Sequence, residues 1–162
     1  MGNKVGRRNT LDAKEKGITI MDELYKEIDL IQSCITRMAD NSFRLKELYI
    51  SLISIALTVM LSQNHDLLIM GAFLIAVTIV FWGLDAFYLK METLYRWKYE
   101  WVIEKRPVGE RSYLYNLDPH NKDMWLNALS KNDCIIKFAF STTLKPLYGT
   151  MIVISIILLL CG

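Results

Sequence analysis

Lysine and arginine are missing from two long stretches of this 162-residue chain: all 19 fall within residues 4–46 and 90–145, leaving 47–89 and 146–162 without a cation. A soluble domain keeps charge on the outer face of its helices, so cation-free stretches of this length exclude that class and point to lipid. Cysteine is scarce as well. Cys34, Cys134 and Cys161 are odd in number, far apart and free of Cys-x-x-Cys spacing, which excludes a disulfide framework and a zinc site. No metal and no cofactor are expected. Histidine is limited to His65 and His120, and the chain has no His-Glu-x-x-His, no nucleophile elbow and no glycine loop able to cradle phosphate, so an enzyme is not expected. Net charge is only +2, with 17 acidic residues interleaved among the cations, which leaves no footing for direct nucleic-acid binding. No apolar core precedes Ile18, so a secretory signal is not expected, and Gly6 stands where a myristoylation signal has Ser or Thr.

Hydrophobic residues, by contrast, are abundant, at 52% of the chain, and the mean hydropathy is +0.23. That is more apolar surface than a small core hides. It is concentrated in Leu48–His65, Leu67–Leu84 and Pro146–Gly162, each uncharged and each about 24 to 27 Å long as a helix, enough for a thin bilayer. The expected fold class is therefore an all-α membrane protein with three transmembrane helices and a long cytosolic helical hairpin, or stalk. Its divisions are a cytosolic segment and stalk helix at 1–46, a transmembrane hairpin at 47–84, a second stalk helix with a small helical region at 85–145, and a third span at 146–162. Both basic blocks flank the same membrane face, and the Ser62–Asp66 connection carries no cation. Cations beside short loops stay cytoplasmic, which places the amino terminus inside and the carboxyl terminus outside.

Before the first span, Met21, Leu24, Ile28, Ile31, Ile35, Met38 and Leu45 recur at steps of three and four, as a heptad seam does. After the second span, Leu84, Phe87, Met91, Leu94 and Trp101 keep the same rhythm, with Lys98 the polar interruption. Folding the chain at Asn64 and His65 sets Leu45 opposite Leu84, Met38 opposite Met91, Ile35 opposite Leu94 and Ile28 opposite Trp101. The same mirror sets Arg44 against Asp85, a membrane-boundary ion pair that would hold a carboxylate near hydrocarbon. Asp40-Asn41-Ser42 is the weak point of the stalk, where a kink or a fresh helix cap is expected. Asp118-Pro119 reads as the start of a short amphipathic helix through Met124, Trp125, Leu126 and Leu129. Asn132-Asp133 ends it, and Ile135–Phe140 reads as an interfacial helix with Lys137 and Lys145 free to snorkel.

Ser51, Ser54, Thr58 and Ser62 form one hydroxyl stripe on the first span. Two readings stand: pore-lining side chains in an oligomer, or hydroxyls bonded to carbonyls one turn back and packed against Gly71, Ala72 and Ala76. Arg96, Trp101, Arg106, Arg111, Tyr113 and His120 mix cations with aromatic faces, as a ligand or partner surface would; interfacial and hairpin packing is the stronger account of the aromatics.

Residues 35–58, with Arg37-Met38-Ala39 and Asn41-Ser42-Phe43, and residues 81–96, with Phe81-Trp82, Leu84-Asp85, Phe87-Tyr88-Leu89, Glu92 and Tyr95-Arg96, resemble small three-span bacterial membrane proteins. Asp118-Pro119 and Ser141–Tyr148 fit the same pattern. Proteins of this sort are similar to the membrane effectors of anti-phage defence modules, and that resemblance implies a homo-oligomer of the inner membrane. Such an effector disrupts the bilayer when a cytosolic sensor protein or a nucleotide signal triggers it. The alternative is a membrane anchor that recruits a soluble partner.

Overall fold

The computed structural model describes the backbone of residues 3–62 and 67–161, and side chains for 17, 19–59, 62 and 67–160. The Met1-Gly2 start, the turn around Asn64 and His65, and the Cys161 side chain lie outside the described residues. Four α-helices carry the fold: α1 (Asn3–Ser62), α2 (Leu67–Lys105), α3 (Ile135–Ala139) and α4 (Leu144–Cys161), with no strand among the described residues.

Neither glycine nor proline interrupts the chain from Ile18 to Met70, and α1 accordingly runs unbroken for 60 residues, about 90 Å. The break expected at Asp40-Asn41-Ser42 is absent. The Ser42 hydroxyl, which would have capped a new helix, instead faces α2 and bonds Asp85.

α1 and α2 form an antiparallel hairpin. Going down the stalk, Tyr49 meets Thr78, Ser42 meets Asp85, Gln32 meets Tyr99 and Glu27 meets Arg106. This is the mirror expected from sequence, within about one helical turn. Ile31, Trp101, Val102 and Met124 form the stalk core, with Leu24, Ile28 and Ile35 packed against it. The expected phase on α2 is wrong at its upper end, however. Leu84 and Phe87 are each 45% exposed, whereas Asp85, Ala86 and Lys98 are fully enclosed. The apolar half of α2 is hydrophobic all round, so spacing there cannot tell a packed face from an outward one.

α4 packs antiparallel to α2, with Tyr148 beside Asp85 and Ser155 and Leu159 against Gly71. A Cβ at Gly71 would lie 2.8 Å from Leu159 Cγ and 2.9 Å from the Ser155 carbonyl oxygen, so glycine is what permits this crossing. Tyr49, Ile53, Met70, Leu74, Leu144 and Tyr148 join the three apolar segments in a second core. By length and composition, α2 is the described helix able to cross a membrane, and Leu144–Leu160 is a shorter apolar helix.

The helix expected after Pro119 does not form. Residues 118–130 are turns and two short 3-10 segments, Lys122–Met124 and Ala128–Ser130. Asn116, Asp118, Asn121 and Asn132 each accept the backbone N–H two residues on, and such side-chain turns compete with helical bonding. Met124 and Trp125 still cap the stalk core. Trp125 stands edge-on to Trp97 and donates to the Pro119 carbonyl at 3.1 Å, but Leu129 points into solvent. Ile135–Ala139 is helical as expected, and Trp82 anchors it by donating to the Ala139 carbonyl at 2.8 Å.

Candidate functional site

Where the stalk meets the apolar half of the molecule, Asp85 is wholly buried, with two partners from α1 and one from α4. Lys46 Nζ lies 2.7 Å from its Oδ2, the Ser42 hydroxyl donates to Oδ1, and the Tyr148 hydroxyl donates to Oδ2 at 3.1 Å. Asp85 therefore ties α1, α2 and α4 together at one level. The cation is Lys46, not the expected Arg44, which lies on the exposed face of α1. Helical geometry explains the difference. Lys46 is one turn beyond Ser42 and shares its inward direction, while Arg44 is rotated about 160° from Lys46. Just beyond, Tyr49 and Thr78 share a 2.9 Å hydrogen bond and Tyr49 packs on Tyr148.

The hydroxyl stripe lies on the opposite side of α1. Ser51, Ser54 and Thr58 each donate to the carbonyl four residues back, and Ser62 to that of Val59, all at 2.8 Å. All are exposed. Back-bonding is as expected for the packing alternative, but packing against Gly71, Ala72 and Ala76 is not found. Gly71 is occupied by α4, and Ala72 and Ala76 are themselves exposed. The stripe is thus polar, internally satisfied and turned away from every other helix of its own chain.

The mixed cationic and aromatic set does not converge on one pocket. Trp101 and Arg106 are interior residues at the stalk tip. Arg106 Nε and Nη2 grip Glu27 at 2.7 and 2.8 Å, and Nη1 holds the Glu110 and Ser112 carbonyls at 2.9 and 2.8 Å. A buried guanidinium bonded on every side is a structural clasp for the 107–112 turn. Arg111 pairs with Glu23 at the rim of a cavity of about 230 Å3 beside Arg106. Arg96 pairs instead with Glu92 on the exposed face of α2 at 2.7 Å. Tyr113, at φ 57°, donates to Asp123 at 2.8 Å, and exposed His120 lies 3.6 Å from Asp118.

Lys98, read from sequence as an interruption of the seam, is fully buried, and its ammonium donates to the Asp118 carbonyl at 2.7 Å. Burial pulls its pKa down to about 8, opposed by the charges of Asp118 and Glu27. Sequence reasoning missed Glu27, Ser42, Lys98 and Tyr148 as buried polar partners and the half-buried Lys46 as the cation on Asp85. Polar side chains at heptad-spaced positions were the available signal. Among the described residues no three His, Cys, Asp or Glu side chains gather as a metal site. Comparison with protein-family models, curated proteins and solved structures finds no match, so the functional reading rests on this geometry.

Proposed function

We propose that this chain is an oligomeric, non-enzymatic membrane effector of the bacterial inner membrane, which permeabilises the bilayer when triggered, in anti-phage defence. In this reading the apolar part of α1, the apolar half of α2 and α4 are three spans. The stalk is cytosolic, the carboxyl terminus is outside, and the trigger is a cytosolic sensor or nucleotide signal acting on the stalk. The observation that carries the proposal is the outward hydroxyl stripe. Ser51, Ser54, Thr58 and Ser62 occupy the most apolar part of α1 yet face away from α2 and α4. In an oligomer such a face suits a shared, wetted axis better than a lipid contact.

The test is leakage of dye from lipid vesicles, read beside native oligomer size. Ser54→Leu and Thr58→Leu should leave assembly intact and reduce leakage about tenfold or more, because an apolar constriction dewets. Leu variants that assemble and leak like the parent would refute pore lining by this face. The anchor alternative draws on Val108 and Leu129, which are 78% and 107% exposed on the 107–134 segment. Recovery of one soluble partner with an intact membrane potential, lost on Leu129→Asp, would favour it.

A further inference from the structure

The outward face of α1 does not end where the hydroxyls end. Stepping back by three or four residues from Ser51 gives Glu47, Arg44, Asp40, Arg37, Ser33, Asp29, Lys26 and Asp22, all exposed. At about 100° per residue these positions stay within one stripe about 100° wide, continuous with Ser51, Ser54, Thr58 and Ser62. The charges along it strictly alternate in sign. They also divide by edge: Asp22, Asp29, Asp40 and Glu47 lie along one side, and Lys26, Arg37 and Arg44 along the other, about 60° round the helix.

Among the described residues none of these charges has an ion-pair partner. Elsewhere the described carboxylates are engaged: Glu23, Glu27, Asp85, Glu92, Glu100, Glu104 and Asp133 in ion pairs, and Glu110, Asp118 and Asp123 in hydrogen bonds. The unengaged ones are Asp22, Asp29, Asp40 and Glu47, all on this stripe. Between them runs a shallow groove lined by Ser33, Thr36, Arg37, Asp40, Asn41 and Arg44.

We propose that this charge ladder is the docking surface for a second copy of the same chain, the basic edge of one α1 lying against the acidic edge of the next. The inference rests on the membrane reading for one point, that all copies share one orientation. Repeated about one axis, a joint of two different edges gives a pair of facing chains or, where the rotation closes with more copies, a ring. An antiparallel pair would set like edge against like edge, whereas copies in one orientation set unlike edges together, as e and g positions do in a parallel coiled coil. Charges of this kind set partner, direction and register more than affinity, so the apolar surface of the neighbouring spans supplies the rest. The hydroxyls then come together on the inner side of the same assembly.

The experiment uses full-length chains carrying two different tags, co-expressed and purified in detergent at low salt. Asp40→Lys with Glu47→Lys makes both edges basic over residues 37–47; Arg37→Glu with Arg44→Glu makes both acidic over the same stretch. The parent should co-purify with itself, and each double variant should lose self-association about tenfold or more. A mixture of the two double variants should recover it, which also shows that both are folded. Raising salt from about 50 to about 500 mM should weaken parent and mixture alike. Self-association of either double variant at the parental level would overturn the ladder, as would a parent that stays monomeric in detergent and bilayer. Vesicle leakage, measured on the same samples, separates this inference from the effector reading. Recovery in the mixture with no leakage under any condition would sink the effector and leave the ladder standing. Full leakage from a double variant alone would do the reverse.

Discussion

Asp85 and Lys46 allow a quantitative test of how the three apolar segments are joined. Replacing Lys46 with Met removes the one cation that, among the described residues, pairs with a carboxylate that is 0% exposed, leaving Ser42 and Tyr148 as its hydrogen-bond donors. An uncompensated buried charge costs about 3 to 5 kcal/mol, against about 5 to 15 kcal/mol for the stability of a typical domain. The converse change is milder. In Asp85→Ala the stranded ammonium belongs to Lys46, whose side chain is already 25% exposed and can turn to water. What remains is the buried Tyr148 hydroxyl without its acceptor, about 1 to 3 kcal/mol, the Ser42 hydroxyl, which can turn to the carbonyl one turn back, and a small cavity. The double variant Lys46→Met with Asp85→Ala removes both charges and should be more stable than Lys46→Met alone, by about 1 to 3 kcal/mol. Helical circular dichroism during chemical unfolding in detergent measures all three. If Asp85→Ala proves the most damaging, or the two changes simply add, Asp85 is not held by charge compensation and the junction owes its stability to packing.

Gly71→Val should separate α4 from α2, since even a Cβ there meets the Ser155 carbonyl and the Leu159 backbone nitrogen at 2.9 and 3.1 Å; a loss of about 1 to 3 kcal/mol is expected, and parental stability would refute the close crossing. Lys98 titrates at about 8 in the fold, below its ordinary value of 10.5, so the unfolded chain binds the extra proton between those values and stability should rise as pH goes from 8 to 10. Lys98→Met should flatten that rise. Of the two described thiols Cys134 is exposed and Cys34 buried, so in a chain with Cys161 replaced by Ser, Cys134 reports topology: an impermeant maleimide should reach it only after the membrane is opened, and labelling in intact cells would invert the proposed orientation.

The helical class and the antiparallel pairing of the stalk were legible because both rest on periodicity. Ile28, Ile31 and Ile35 repeat as a packed seam must, and the absence of glycine and proline forecasts one long helix. The same logic failed at Asp40-Asn41-Ser42 and at Asp118-Pro119, for opposite reasons. In the first, three poor helix formers are carried by the helix on either side, and Ser42 finds its partner on α2 rather than on its own backbone. In the second, a good start signal is defeated by Asn116, Asp118 and Asn121, whose side chains take the amides that a helix would have used.

The site divides along the same line. A stripe is a local property of one helix, so Ser51, Ser54, Thr58 and Ser62 could be read from spacing alone; which way it faces depends on α2, and a uniformly apolar neighbour gives no phase. Partner identity is harder still. Arg44 and Lys46 are both cations two residues apart near the start of the same apolar run, and only the rotation of α1 decides which reaches Asp85. That rotation is set by polar contacts at both ends of the stalk, Glu27 with Arg106 at the tip and Ser42 with Asp85 at the apolar junction. With those contacts turned inward, the ladder and the hydroxyls are held outward together over the length of one unbroken helix. A change that rotated α1 at either end would therefore move both features as a unit, since α1 is continuous through residues 40–42.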